Sequence, residues 1–415
     1  MKPEDRSVVR RTTLPPSETT PLVTPLFPSV VYCAEDADAL DAVYEGRAGG
    51  YSYAREGHPN ASVLADKISW MEGAGQERAG QERAGQEGFG QGIMTASGMA
   101  AISAVFLALL EKGDHIVAGN QLYGRCLRLL TQDLPRMGFE ASLVDASDVA
   151  AVEAALRPET KLLLVEVVAN PTLRVADIKG LARLAKERGL IFVVDNTFTT
   201  PRAFKPFDHG ADLVVHSVTK LLAGHSDVTL GYVGARDPGH ATALYDAVTT
   251  WGLNASPFDC WLAERGLNTF DLRFQRAQEN AKDLADHLRG LPGVLRVLYP
   301  GEADHPDGAL ARDLLQGNFS HMVSFELDAD RAGVNAFVRA AGNIAFAPTL
   351  GDVGTTISHP ASSSHRGLTV EGRAALGISE GFIRVSVGVE DIDLLTREFT
   401  DAVAAARRAA TREVG

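Results

Sequence analysis

The chain has 415 residues, 45% of them hydrophobic and 22% charged, and a formal net charge of −13 from 40 basic and 53 acidic side chains. This is the make-up of a globular chain long enough for a large core and two domains, and its acidic balance argues against a nucleic-acid or anionic-membrane partner. The three cysteines, Cys33, Cys126 and Cys260, are too far apart in sequence for a disulfide framework or a metal site. No basic-then-apolar signal stands at the start, so the expectation is a cytoplasmic protein without a metal.

Residues 1 to about 20 are polar and carry prolines, and 1–65 as a whole read as an N-terminal arm. The run Ala74-Gly75-Gln76-Glu77-Arg78 recurs at 79–83 and begins again at Ala84. A five-residue repeat is too short for a solenoid unit, so 73–91 reads as a low-complexity surface insertion without chemistry. The apolar stretch 93–110 contains Thr95, Ser97, Gly98 and Ser103, which makes it a core helix rather than a membrane span.

From 114 to 235 strands and helices alternate. Strands are expected at 115–118, 140–144, 161–168, 190–195, 212–216 and 229–234, and helices at 125–137, 149–156 and 178–188. Such alternation implies an α/β fold with a mainly parallel central sheet and helices on both faces. Beyond 257 a long helical stretch, 258–288, leads into a smaller C-terminal α/β domain with strands near 322–327 and 382–387. The expected division is an arm at 1–65, a larger domain at 66–256 and a C-terminal domain at 257–415.

Three segments carry chemistry. In His216-Ser217-Val218-Thr219-Lys220, a lysine follows an apolar strand and precedes the glycine-containing loop Gly224-His225-Ser226-Asp227. A lysine that bonds covalently to an aldehyde cofactor needs such a place, partly desolvated and near positive charge. A surface lysine after a core strand is also open on these residues alone. Upstream, the strand before Asp195 ends in an acid, where open α/β sheets bind ligands, and an aspartate there can keep a pyridinium nitrogen protonated. Taken singly, Asp195 could equally be a turn or capping residue. Finally, Ser97-Gly98-Met99 opens a helix, whose free N–H groups and positive dipole end attract phosphate; an ordinary capping serine is the alternative.

These residues resemble the Cys/Met-metabolism (transsulfuration) family of pyridoxal-phosphate enzymes, which includes cystathionine γ-synthase, the cystathionine and methionine γ-lyases, cystathionine β-lyase and the O-acylhomoserine sulfhydrylases. The similarity runs from about 20 to about 405. It rests on Gly50-Tyr51-Ser52-Tyr53-Ala54-Arg55, Ser97-Gly98-Met99, Leu122-Tyr123-Gly124, Glu166-Val167-Val168-Ala169-Asn170-Pro171, Val194-Asp195-Asn196-Thr197, the Lys220 segment, His359-Pro360-Ala361-Ser362 and Ile383-Arg384-Val385-Ser386-Val387-Gly388. The resemblance implies the type I fold of pyridoxal-phosphate transferases.

By motif position, the resemblance makes Lys220 the cofactor-bonding lysine and proton carrier, and Asp195 the partner of the pyridinium nitrogen. Ser217 and Thr219, with Ser97 and the Gly98 and Met99 amides, would hold the phosphate, and Thr197 lies in the cofactor site. Tyr123 would stack on the cofactor ring and protonate the leaving group. Asn170, Thr349 and Arg384 would take the substrate carboxylate. Tyr53 and Arg55 would reach the phosphate of a neighbouring subunit, which implies a homotetramer, a dimer of dimers with shared active sites.

Some positions depart from the family pattern. His58-Pro59-Asn60 replaces a common Asn-Pro-Thr, Arg125 precedes Cys126 where methionine γ-lyases have cysteine directly, and Gly351-Asp352-Val353-Gly354 lacks a common glutamate. The leading expectation is a C–S lyase performing γ-elimination on a sulfur amino acid. The alternative is γ-replacement on an O-acylhomoserine.

Overall fold

The computed structural model describes residues 17–73 and 92–412. The expected insertion at 73–91 lies outside them except for Gly73, as do the first 16 residues of the expected arm.

The central sheet has seven strands: β1 (Ile93–Thr95), β2 (His115–Gly119), β3 (Glu140–Val144), β4 (Thr160–Glu166), β5 (Ile191–Asp195), β6 (Leu213–Ser217) and β7 (Gly231–Ala235). Their order is β1-β7-β6-β5-β4-β2-β3. The run from β3 to β6 is parallel, whereas β7 is antiparallel to both β6 and β1. Strands covered on both faces must be apolar throughout, and Ile191, Phe192, Val193 and Val194 of β5 are all buried. One cluster joins β4 and β5 to the amphipathic helix Ile178–Arg188, and another joins the sheet's opposite face to the helix Gly98–Leu109.

A second sheet follows, formed by β8 (Val294–Leu298), β9 (Met322–Leu327), β10 (Ala345–Phe346), β11 (Thr356–Ser358) and β12 (Phe382–Ser386), in the order β10-β11-β12-β9-β8. Its core holds the aromatic trio Phe325, Phe337 and Phe399, with ring centroids 5.7 to 6.2 Å apart. This is the second, smaller α/β region expected beyond 257.

Two expected helices are divided. The stretch 258–288 forms Pro257–Leu267 and Phe270–Arg289, interrupted at Asn268 and Thr269. The break has a use: Arg273 donates to the Gly266 carbonyl at the end of the first helix (2.9 Å) and to the Leu221 carbonyl (2.8 Å), just after Lys220. The stretch 125–137 becomes an α-helix over Gly124–Arg128, a π-helical turn over Leu129–Asp133 and a 3₁₀ turn over Leu134–Met137. Leu134 keeps α-helical dihedrals, but Pro135 has no N–H with which to continue the i→i−4 ladder, so a continuous α-helix does not survive there.

Candidate active site

The strand ends, the first turn of helix Gly98–Leu109 and the second sheet together enclose a cavity of about 240 Å³. Its lining includes Ser97, Gly98, Met99, Tyr123, Asn170, Asp195, Thr197, Ser217, Thr219, Lys220, Thr349 and Arg384. Residues scattered over nearly 290 positions of sequence are thereby brought to one place.

Asp195 and Ser217 close adjacent parallel strands. The Thr197 N–H donates to Asp195 Oδ1 at 2.9 Å, and Thr197 Oγ1 accepts the Ser217 N–H at 2.7 Å, so one threonine fixes both strand ends. Across from them Ser97 caps its helix through Ala100 N–H (3.1 Å). Gly98 lets this helix start pack closely: a Cβ there would lie 2.7 Å from the Ser217 Cβ. The Thr219 hydroxyl lines the cavity but is engaged with the Leu230 backbone, accepting its N–H at 2.9 Å.

Lys220 sits in the turn after β6, its Nζ 3.5 Å from Thr349 Oγ1. Burial, with the Arg384 charge added, lowers its pKa from the usual lysine value. Arg384, on β12, is 5% exposed and has no carboxylate partner among the described residues. It donates to Asn170 Oδ1 (2.8 Å) and the Thr349 carbonyl (2.7 Å), and its Nε is buried without a partner. Desolvation brings its pKa down to about 10. A buried guanidinium held only by neutral acceptors is an anion site.

The acids show the opposite imbalance. Asp195 is raised above the ordinary aspartate value by burial, and Glu166, its register partner on β4, is pushed up to about 8 by burial and by the Asp195 charge.

With that geometry established, comparison decides the family. The family model described as Cys/Met metabolism PLP-dependent enzyme matches residues 6–404. The chain belongs to this family. Among relatives of this Cys/Met metabolism PLP-dependent enzyme is the cystathionine beta-lyase of Bacillus subtilis, 39% identical over 86% of each chain. Another is the L-methionine gamma-lyase of Porphyromonas gingivalis, 37% identical over 90% of each. The O-succinylhomoserine sulfhydrylase of Pseudomonas aeruginosa is 35% identical over 92% of this chain and 90% of that one. The solved cystathionine gamma synthase from Xanthomonas oryzae pv. oryzae in complex with cystathionine superposes with a TM-score of 0.84 at 37% identity, covering 93% and 94% of the two chains. The protein is thus a PLP-dependent transsulfuration enzyme, with both lyases and a synthase among its relatives.

The residues present fit pyridoxal phosphate. A pyridinium nitrogen suits the acid at Asp195, an aldehyde suits the desolvated Lys220, and a phosphate suits the helix start that Gly98 brings against Ser217. Tyr123, 43% exposed, offers a ring at the cavity wall.

Tyr53 and Arg55 are the exception to the gathering of expected residues. Neither lines this cavity in its own chain. Tyr53 is 42% exposed, the Arg55 guanidinium lies 5.6 Å from its ring centroid and pairs with Glu56, and Arg55 lines a separate cleft of about 630 Å³. In the other direction, sequence reasoning gave no role to Glu166 or His321. The signal for Glu166 was present: like Asp195, it is an acid that ends a buried apolar strand. His321 is fully buried, and its pKa is lowered to about 3 by desolvation and the Arg384 charge. A lone histidine before an apolar strand carried no such signal. Among the described residues no group of His, Cys, Asp or Glu could hold a metal ion, and no helix is long and apolar enough to cross a membrane.

Proposed function

We propose that the protein is a C–S lyase that performs γ-elimination on a sulfur amino acid such as cystathionine or methionine. The observation that carries the amino-acid chemistry is one cavity holding a desolvated Lys220, a buried Arg384 with no carboxylate partner among the described residues and a half-buried Asp195. The lyases among the relatives support elimination.

When bound, pyridoxal phosphate supplies an aldehyde that captures amines and a ring that accepts electron density from the substrate Cα. The chain's own residues do the rest. Arg384 binds the substrate carboxylate through its fork, kept in plane by Asn170 and Thr349. Lys220, readily deprotonated because it is desolvated, takes the Cα proton at Nζ, hands it on toward the cofactor side of the cavity and, as a free amine again, takes a Cβ proton. Tyr123, at the cavity wall, delivers a proton to the departing γ-sulfur. Asp195 would balance positive charge at the ring nitrogen, Ser97, Gly98, Met99, Ser217 and Thr219 would hold the phosphate end, and Thr197 ties Asp195 to Ser217 within the same site. The enclosing second sheet limits water, which favours a defined fate for the reacting chain.

The second reading is γ-replacement on an O-acylhomoserine, favoured by the sulfhydrylase and synthase relatives. One panel separates them. Cystathionine or methionine is supplied first, then O-acetyl- or O-succinylhomoserine with sulfide. Release of 2-oxobutyrate from the first pair supports the lyase; homocysteine formed only from the second overturns it. Pyruvate from cystathionine would instead indicate β-elimination.

Tyr53 and Arg55 are read as donors to a neighbouring subunit's phosphate site, in a homotetramer of two dimers. What supports this is their distance from their own cavity, together with the exposed apolar surface of the arm, where Leu22, Val23, Val30 and Val31 are all more than half exposed. Co-refolding Lys220→Ala with Arg55→Ala chains should then restore about a quarter of wild-type activity, because half the dimers are hybrid and each hybrid has one intact site. No restoration would place Arg55 in its own chain's site. The division into 1–65, 66–256 and 257–415 is supported by the two sheets, whose strands fall at 93–235 and 294–386.

A further inference from the structure

Three pieces of the cavity wall meet at one side chain. Glu166 closes β4 beside Asp195. Its Oε1 accepts the Tyr123 N–H at 2.7 Å, and the Asn170 N–H faces the same carboxyl. Tyr123 opens the helix Gly124–Arg128 with no side-chain cap of its own, so this bond is what fixes the helix start from the strand side. Asn170 in turn holds Arg384 through Oδ1. A single carboxyl therefore sits between the tyrosine at one end of the cavity and the guanidinium at the other.

We infer that Glu166 is a positioning residue that sets Tyr123 by accepting its backbone N–H and, with the Asn170 N–H facing the same carboxyl, supports the residue that holds Arg384. The inference rests on the amino-acid chemistry proposed above but not on the choice between elimination and replacement. Its role needs an acceptor oxygen and the right length, not a charge. With the carboxyl pushed up to about 8, an uncharged acid is the main form at neutral pH, and glutamine reproduces both its shape and its acceptor.

The test compares Glu166→Gln, Glu166→Asp and Glu166→Ala in the holoenzyme. Glu166→Gln should stay within about threefold of wild type in kcat/KM, since the Tyr123 N–H keeps an oxygen acceptor at the same length. Glu166→Ala should lose about 100-fold, with KM raised as well as kcat lowered, because displacements of about 1 Å at both ends of the substrate cost that much. Two readouts besides turnover should move with it: the visible circular dichroism of the bound cofactor, which reports Tyr123 stacking, and pyridoxal phosphate affinity measured by titrating the apoenzyme. Should alanine prevent folding, Glu166→Asp replaces it, since one methylene less withdraws the acceptor, and a loss of about tenfold is expected.

Alanine or aspartate variants with unchanged kcat/KM and dichroism would overturn the inference. So would a glutamine variant that folds but is as impaired as alanine, because charge would then be what matters. If the wild-type enzyme turns over none of the panel substrates, the proposed activity fails, while the dichroism and cofactor-affinity comparison still decides the role of Glu166.

Discussion

The two walls of the cavity treat charge in opposite ways. The wall from the seven-stranded sheet places two acids, Asp195 and Glu166, side by side at strand ends, and both are pushed toward the neutral form. The wall from the second sheet places Arg384 where no acid among the described residues answers it. That charge adds to burial in lowering Lys220 and in bringing His321 to about 3 and His365 to about 4. Each wall is short of one sign of charge. A cofactor that is cationic at its ring nitrogen and a substrate with a carboxylate supply what is missing, one on each side. The protein has thus stored the specificity of its site as uncompensated charge, a state that costs stability in the empty enzyme and strengthens binding in the full one.

The largest test of this contrast removes the lysine between the walls. Lys220→Ala should reduce kcat by 10³-fold or more, roughly the weight of a nucleophile and base combined, and should abolish the yellow absorbance of the cofactor-bound lysine. An active Lys220→Ala enzyme would break the comparison outright.

Next comes the cationic wall. Arg384→Ala should cost about 2–4 kcal/mol in kcat/KM, some 30- to 1000-fold, with cofactor affinity little changed. Arg384→Lys should recover only part of that loss, because a point charge cannot hold Asn170, Thr349 and a carboxylate together. Steady-state kinetics with one amino-acid substrate decides this, and a weakened cofactor with unchanged KM would assign Arg384 to the wrong ligand.

The acidic wall gives a pH signature. Glu166 keeps its proton in the folded chain up to about 8 but loses it near 4.5 when unfolded. The unfolded state therefore binds fewer protons across that window, and stability falls as pH rises through it. Buried histidines such as His321 act with the opposite sign, but only below about 6.5. Between pH 6.5 and 8 the apoenzyme should lose about 2 kcal/mol, and Glu166→Gln should abolish most of that slope. Thermal melts of both apoenzymes at stepped pH measure it, and parallel curves would remove Glu166 from the account.

The smallest expected effect lies where the helix start meets the sheet. Gly98→Ala places a Cβ 2.7 Å from the Ser217 Cβ, so the helix must shift from the strand end. Cofactor affinity should weaken about tenfold, and the apoenzyme should lose about 1–3 kcal/mol of stability because the contact is with the Ser217 Cβ and backbone. Unaltered affinity would mean that the phosphate does not sit at this junction.

Much of this was legible in the residues. Apolar runs ending in an acid marked β5, a helix opening on Ser97-Gly98 marked the phosphate side, and the segments around Lys220 and Arg384 marked the rest. These signals are local: a buried strand needs consecutive apolar residues, and a capped helix needs its serine at one position. Where a local rule was available but not applied, as for Glu166, the residue was missed. The antiparallel placement of β7 and the break at Asn268 and Thr269 that lets Arg273 reach the Leu221 carbonyl had no such signal, because packing partners far along the chain set them, whereas Pro135 was a local sign of the division of 125–137.

The sequence by itself determined which side chains could do chemistry and which periodic segments would fold into strands and helices, since propensity and burial act over a few neighbouring residues. Only the tertiary structure decided how those side chains are charged and what they lack. Lys220 and Arg384 stand 164 positions apart in the chain, and Tyr123 and Arg384 still further. It is their enclosure in one cavity, with water excluded and partners fixed, that shifts their proton affinities. It also leaves Tyr53 and Arg55 of the same chain outside that cavity, because desolvation and charge coupling depend on distance in space and not on order in the chain.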